Sequence, residues 1–316
     1  MDILIVTPAK SGSLHGNRTT ARRWARILTQ LGHQVLVETT YNHQDSDILI
    51  ALHAWRSAQS IALFTQKHPD RPVILALTGT DINHFMHVES ETVKQSLDYA
   101  DILITLNDKA KQQISPVYHK KCVTIHQSSQ IHVRRSHPSR HFNICVSGHL
   151  RAEKDPFRTA LAVRSLPSSS RIKVQHFGYA HSPFWAQQAR LETARNQRYE
   201  WYNGVPQERW LTQLQHSQLM VLSSIQEGGA NVISEALIAK RPILASHISG
   251  NIGLLGENYP GYFPTGDTHI LKKRLLECEN NPRFYSALNS ACMERRKYFS
   301  VNHEKRSWHN LLDILK

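Results

Sequence analysis

Leu219-Met220-Val221-Leu222-Ser223 is followed, after a short polar gap, by Glu227-Gly228-Gly229-Ala230-Asn231-Val232-Ile233-Ser234-Glu235-Ala236-Leu237, and then by Arg241-Pro242-Ile243-Leu244-Ala245-Ser246. Each flanking apolar run is short and unbroken, the pattern of a strand buried on both faces. The middle stretch opens on a glycine pair and continues as a helix. Strand, turn, helix and strand in that order make a parallel β-α-β unit. The glycines let backbone approach a ligand closely, and a helix starting near Ala230 aims unpaired N–H groups at it, which suits a phosphate. Glu227 precedes the helix and Glu235 lies one to two turns into it. Both can accept hydrogen bonds from hydroxyls, and sugars and ribose offer paired hydroxyls beside phosphates. Taken alone, the stretch also fits a plain helix start whose acidic residues favour the dipole.

The same half opens on a strand, Phe142 to Ser147, and then Gly148-His149-Leu150-Arg151-Ala152-Glu153-Lys154-Asp155-Pro156. A helix to Leu166 and a strand from Lys173 to Phe177 follow. Arg151 and Lys154 stand where they can neutralise a diphosphate leaving group, work that Mg²⁺ does in metal-dependent enzymes. No metal and no cofactor is therefore expected. As a plainer reading, both are surface residues at a helix start.

Upstream, strands at Ile3 to Thr7, His33 to Glu38, Asp47 to Leu52, Val73 to Leu77, Ile102 to Leu106 and Val123 to Ile125 alternate with helical patterns. That alternation predicts a second doubly wound parallel sheet. Between the first strand and a helix over Asn17 to Leu31 lies a loop with Gly12, Ser13 and Gly16. With Asn17, Arg18 and Thr19 it offers small donors and a cation for an anion. A solvated helix face carrying Arg22, Arg23 and Arg26 explains the same residues without a ligand. His53, at the end of the third strand, and Thr80 and Asp81, after the fourth, are the other candidates for binding an acceptor. A satisfied structural role accounts for them equally well.

The polar stretch from Gln130 to His141 reads as a linker. The expected organisation is an N-terminal Rossmann-like domain over 1–136, a C-terminal one over 137–299, and a closing helix over 300–316 that crosses back to the first. A central cleft between the halves is the expected ligand site.

Hydrophobic residues make up 40% of the chain and charged residues 20%, enough apolar material for packed cores. No apolar run is long enough to span a bilayer, and Met1 to Val6 lacks the marks of a secretory signal, so a cytoplasmic location and no stable membrane insertion are expected. Four scattered cysteines, Cys122, Cys145, Cys278 and Cys292, read as free core thiols. The net charge of +13 attracts polyanions of any kind, yet no nucleic-acid recognition motif accompanies it.

The Glu227/Glu235 spacing, the upstream Gly148-x-Leu150-x-x-x-Lys154, the strand Asp101 to Thr105 and the segment Thr78-Gly79-Thr80-Asp81-Ile82 together resemble glycosyltransferase family 4, which has the GT-B fold. The resemblance implies that Glu235 holds the donor ribose, Glu227 the donor sugar, and Lys154 the diphosphate, with Gly148, His149, Gly228, Gly229, Ala230 and Asn231 around them. It departs at His149, where the family usually has Arg, and at Thr78, where it often has His. Arg151 thereby becomes the candidate for the second phosphate contact. The opening loop, with Leu77-Thr78-Gly79-Thr80-Asp81-Ile82 and Gly148 to Pro156, resembles one small subfamily, the selenosugar synthases of selenoneine biosynthesis. That implies transfer of sugar from a UDP-sugar, such as UDP-N-acetylglucosamine or UDP-glucose, to selenophosphate. A family 4 transferase acting on lipopolysaccharide or another membrane glycolipid is the alternative among enzymes. A basic nucleic-acid-binding protein is the alternative of another class, and the Glu227/Glu235 carboxylates count against it.

Overall fold

The computed structural model describes residues 1–10, 12, 16–131 and 139–315. The chain forms two compact units, Met1–Ser128 with Val301–Lys316, and Ser129–Ser300.

The first unit is built on six parallel strands: β1 (Asp2–Val6), β2 (Gln34–Glu38), β3 (Ile48–Leu52), β4 (Val73–Ala76), β5 (Ile102–Thr105) and β6 (Cys122–Thr124). Their order across the sheet is β2-β1-β3-β4-β5-β6. β3 and β4 are buried at every position, as unbroken Ile/Leu/Val/Ala runs require, whereas β2 lies at the edge and leaves Leu36 exposed. The helix Gly16–Gln30 lays Ala21, Trp24, Ile27 and Leu28 on the sheet at helical spacing. The chain's last helix, Val301–Ile314, packs beside it. Trp308 meets Trp24 edge to face, with ring centres 4.9 Å apart. Glu304, fully buried, takes the Trp24 indole N–H at 2.8 Å and Arg23 Nε at 3.2 Å on one oxygen. Its other oxygen takes the Ser128 amide at 2.8 Å and the Ser128 hydroxyl at 2.5 Å. Removing one partner from such a buried charged cluster costs about 3–5 kcal/mol, so this cluster fixes the closing helix to the first unit.

The second unit has β7 (Phe142–Ser147), β8 (Ile172–Phe177), β9 (Tyr199–Trp201), β10 (Leu219–Leu222), β11 (Ile243–Ser246) and β12 (Tyr262–Phe263), again all parallel, in the order β12-β11-β10-β7-β8-β9. β9 and β12 escape a reading by apolar runs because they are only three and two residues long. The helix Asn231–Ile238 is buried from Ile233 to Ile238, so it sits inside this unit's core.

In both sheets the strand order reverses once. The reversal lies between β1 and β3 in the first unit and between β7 and β10 in the second. Open α/β sheets bind ligands just beyond the carboxyl ends of the strands at such a switch point. Among the described residues, no helix is long and apolar enough to cross a membrane. Cys145, Cys278 and Cys292 are buried free thiols as expected, while Cys122 is only half-buried.

Candidate active site

In the second unit, the carboxyl ends of β7 and β10 bring Gly148, Lys154, Ser224 and Glu227 together. The 3₁₀ turn Ala152–Lys154 is tied to the segment after β10: the Ile225 amide donates to the Glu153 carbonyl at 2.8 Å, and the Ser223 hydroxyl donates to the Asp155 carbonyl at 2.9 Å. Asp155 closes that turn with φ 41°, a left-handed conformation that acidic and amide side chains tolerate. The Lys154 stem lies along Gly148: a β-carbon on Gly148 would stand 3.9 Å from it. Lys154 Nζ reaches Glu227 Oε1 at 2.5 Å, and the Ser224 hydroxyl donates to the same oxygen at 2.6 Å.

Glu227 is held from behind as well. Gly250 must be glycine, because a β-carbon there would fall 2.1 Å from the Glu227 carbonyl oxygen. The buried Ser246 hydroxyl donates to the Ser224 carbonyl at 2.5 Å, and the Asn251 amide donates to the Ser246 carbonyl at 2.9 Å. A buried polar chain thus runs from Asn251 to Lys154, every link hydrogen-bonded, which rigidifies the carboxylate and its cation.

Two residues that sequence reading missed complete the surroundings. His176, on β8, is 1% exposed; its Nε2 lies 3.0 Å from the Gly148 carbonyl and its Nδ1 lies 2.8 Å from the Tyr199 hydroxyl. The carbonyl can only accept, so Nε2 carries the proton and Nδ1 accepts from Tyr199. Burial pushes the His176 imidazole down to about 4, partly offset by the bond to Gly148. Trp210 donates its indole N–H to Glu235 Oε2 at 2.7 Å, and Gln207 donates to Oε1 at 3.3 Å. Glu235, in the second turn of the helix Asn231–Ile238, is 8% exposed and oriented by these two donors. Neither His176 nor Trp210 belongs to a motif, and nothing in the local sequence marks them.

The remaining donor-side candidates lie on the same edge in different roles. Ala230 caps the helix Asn231–Ile238 and Asn231 is its first residue. Gly228 is buried and Gly229 half-buried in the turn before it. His149 accepts the Tyr179 amide on Nδ1 at 3.2 Å. Arg151 pairs with Glu153 at 3.1 Å, with its side chain 32% exposed, as Lys154 pairs with Glu227.

In the first unit, Gly12 is an exposed turn residue with φ 83°, and Gly16 starts the helix Gly16–Gln30. Ser13 lies outside the described residues. Asn17, Arg18 and Thr19 are half-buried in the first turn, and the Arg18 Nε is buried without a hydrogen-bond partner among the described residues. His53, Thr80 and Asp81 form a second cluster. His53 Nδ1 lies 2.6 Å from Asp81 Oδ1, both side chains are essentially inaccessible, and Thr80 Oγ1 lies 3.1 Å from His53 Nε2. Asp81 also accepts the Thr78 amide at 2.8 Å and the Thr78 hydroxyl at 3.0 Å. His53 sits at φ 82°, and Asp81 begins a π-helical turn, Asp81–Phe85. A left-handed non-glycine residue costs about 1–3 kcal/mol and is kept where the surroundings over-determine it.

The chain's D-x-D triplet, Asp45-Ser46-Asp47, lies at the opposite, amino edge of the first sheet. Asp45 is paired with Arg71, and Asp47 takes the Asp2 amide at 2.8 Å. Among the described residues no group of three or more His, Cys, Asp or Glu is arranged to hold a metal.

Two parallel six-stranded units of this kind define the GT-B class of glycosyltransferases. Over 99% of the chain, the fold matches HepE of Anabaena in complex with UDP-glucose, with a TM-score of 0.79, 14% identity and 99% of that protein covered. It matches the sucrose-phosphate synthase of Thermosynechococcus elongatus with a TM-score of 0.81 at 12% identity, over 99% of this chain and 98% of that one. It also matches the lipopolysaccharide outer core galactosyltransferase WaaB at 0.71 and 13%, over the full length of both. A search of curated proteins finds no match. The family of group 1 glycosyl transferases matches residues 127–300, more than half of the sequence, and the chain belongs to that family.

Proposed function

We propose that this protein transfers the sugar of a UDP-sugar to selenophosphate, forming a carbon–selenium bond with release of UDP, after which water cleaves the phosphorus–selenium bond and phosphate is released. In this reading the second unit takes the donor and the first unit the acceptor, in the cytoplasm and without a metal ion. The observation that carries the donor half is the meeting of Lys154, Glu227 and Gly148 at the switch point of the second sheet. Lys154 trades its bond to Glu227 for the diphosphate, whose charge grows as the sugar departs. Glu227 is then released to accept hydroxyls of the sugar, and Glu235 accepts those of the ribose. HepE, of the same fold, is described with UDP-glucose, which supports a UDP-sugar here.

Selenophosphate is small and anionic, so a site for it must supply cationic partners and orientation. Arg18, whose buried Nε has no hydrogen-bond partner among the described residues and which stands at the start of the helix Gly16–Gln30, supports an anion at that position. The test separates acceptor from donor. Arg18→Ala should lower kcat/KM for selenophosphate at least about tenfold, the loss of one charged hydrogen-bond partner, and leave the thermal shift by UDP intact. Loss of the UDP shift in Arg18→Ala assigns the loop to the donor. Transfer to lipid extracts with selenophosphate ignored sinks the selenium reading and favours a membrane acceptor.

A further inference from the structure

We propose that Asp81, His53 and Thr80 form a proton relay that takes the proton from a protonated acceptor, with the Thr80 hydroxyl as the group that meets it. The proposal rests on the reading that the carboxyl edge of the first sheet receives the acceptor. His53 follows β3, at the switch point of that sheet, and Thr80 follows the neighbouring β4.

Hydrogen-bond directions fix the order of the relay. Asp81 accepts the Thr78 amide and hydroxyl on Oδ2 and the Trp55 amide, at 3.4 Å, on Oδ1. A carboxylate serving that many donors is an acceptor, so the 2.6 Å contact is His53 Nδ1–H donating to it. The Arg56 amide also points its N–H at Nδ1, but at 3.3 Å it is the longer contact, and the 2.6 Å approach of Asp81 decides the tautomer. Nε2 is left with its lone pair, and the Thr80 hydroxyl at 3.1 Å donates to it. Thr78 has given its own hydrogen to Asp81, so toward Thr80 Oγ1, 3.3 Å away, its oxygen can only accept, and His53 Nε2 is the nearer of the two acceptors for the Thr80 hydrogen. Buried carboxylate, oriented imidazole and outward hydroxyl is the arrangement by which a base draws a proton from a hydroxyl.

Exposure grades outward along the same line. Asp81 and His53 are 0% and 1% exposed, and Thr80 is exposed. Phe85 closes over the imidazole at 5.3 Å and stacks on Trp55 at 4.3 Å. The left-handed backbone at His53 and the π-helical turn beginning at Asp81 mark a conformation held against local preference, a recurrent feature of functional sites. A pair serving only to fill this core is more cheaply replaced by apolar side chains.

In the step this implies, the acceptor's proton passes to Thr80 Oγ1 as the Thr80 proton moves to His53 Nε2, leaving an imidazolium beside the Asp81 carboxylate. The electron pair freed on the acceptor's selenium forms the bond to the sugar's anomeric carbon. The bond from that carbon to the UDP oxygen breaks, and its pair leaves on the diphosphate; water then attacks phosphorus, the phosphorus–selenium bond breaks with its pair and the water's proton going to selenium, and phosphate leaves. Besides Asp81, the charged or titratable neighbours of the imidazole are Arg56, whose guanidinium lies 6.0 Å from the Phe85 ring centre, and His84, edge-on to the same ring at 4.8 Å.

The test compares rates with UDP-sugar and selenophosphate across pH for wild type, Thr80→Ala, Thr80→Ser and His53→Asn, asparagine being tolerant of positive φ. Losing a general base lowers kcat by about 100-fold or more, so Thr80→Ala and His53→Asn should show that loss while Thr80→Ser stays within about fivefold of wild type. The decline of wild-type kcat toward acid should vanish in His53→Asn, and UDP should still raise the melting temperature of every variant. Wild-type kcat in Thr80→Ala, or equal losses in Thr80→Ala and Thr80→Ser, overturns the relay. If the wild type transfers nothing to selenophosphate, the acceptor reading fails on its own. The relay is then read by ¹⁵N NMR of His53. An Nδ1–H tautomer whose Nε2 resonance moves in Thr80→Ala supports it, and an Nε2–H tautomer overturns it.

Discussion

Lys154 and Glu227, distant in sequence, share a 2.5 Å contact at the switch point of the second sheet. The contact is mostly shielded, with side-chain exposures of 18% and 7%, so neither charge is cheap to leave alone. Lys154→Met should therefore lower both stability and activity. The double variant Lys154→Met/Glu227→Gln removes both charges and should recover the melting temperature. It should not recover the rate, since losing the diphosphate cation costs about 100- to 1000-fold. Thermal denaturation beside steady-state rates checks this, and a double variant with restored rates contradicts the role given to Lys154.

Trp210 and Gln207 orient Glu235, so their effects should run through it. UDP at about 100 times its Kd should stabilise the wild type by about 2.7 kcal/mol. Glu235→Ala should abolish most of that shift, and Trp210→Phe should reduce it, because the indole donor at 2.7 Å is lost while the ring remains. An undiminished shift in Glu235→Ala removes the ribose from Glu235.

His176 gives a pH dependence with a definite sign. Burial lowers its imidazole to about 4 in the folded protein, against an ordinary value near 6.5. Between those values the unfolded chain binds the extra proton, so stability is whole above about pH 6.5 and is lost as pH falls toward 4. The contribution is on the order of 3 kcal/mol. Denaturant midpoints measured from pH 7 to pH 4 should fall less steeply in His176→Gln than in wild type. Parallel slopes would mean that the imidazole is not held neutral against Gly148.

Much of the fold is legible in the sequence because parallel strands buried on both faces are written as unbroken apolar runs. Ile48 to Leu52 and Leu219 to Leu222 stand out at once. β9 and β12 do not, because their three and two residues carry no periodicity. The glycine pair and the carboxylates at 227 and 235 are legible since their chemistry follows from spacing along one turn and helix. His176 and Trp210 are not, because they reach Gly148 and Glu235 from other elements of the sheet. Spacing placed Arg151 beside Lys154, but its pairing with Glu153 depends on the turn's geometry. His53 and Asp81 are visible as single polar residues after strands, while their 2.6 Å contact exists only through the pairing of β3 with β4.

Mass spectrometry of the products formed from a panel of UDP-sugars, with and without selenophosphate and in excess EDTA, decides whether selenophosphate is the acceptor. Lys154 and the helix start at Asn231 carry the diphosphate charge in this account, so EDTA should not slow the reaction and added Mg²⁺ should not speed it. The predicted result is a selenium-containing sugar, with UDP and phosphate released in equal amounts, only where selenophosphate is present. Thiophosphate should react more slowly or not at all. A protein that binds UDP-sugar yet yields no selenosugar under any of these conditions contradicts selenophosphate as the acceptor.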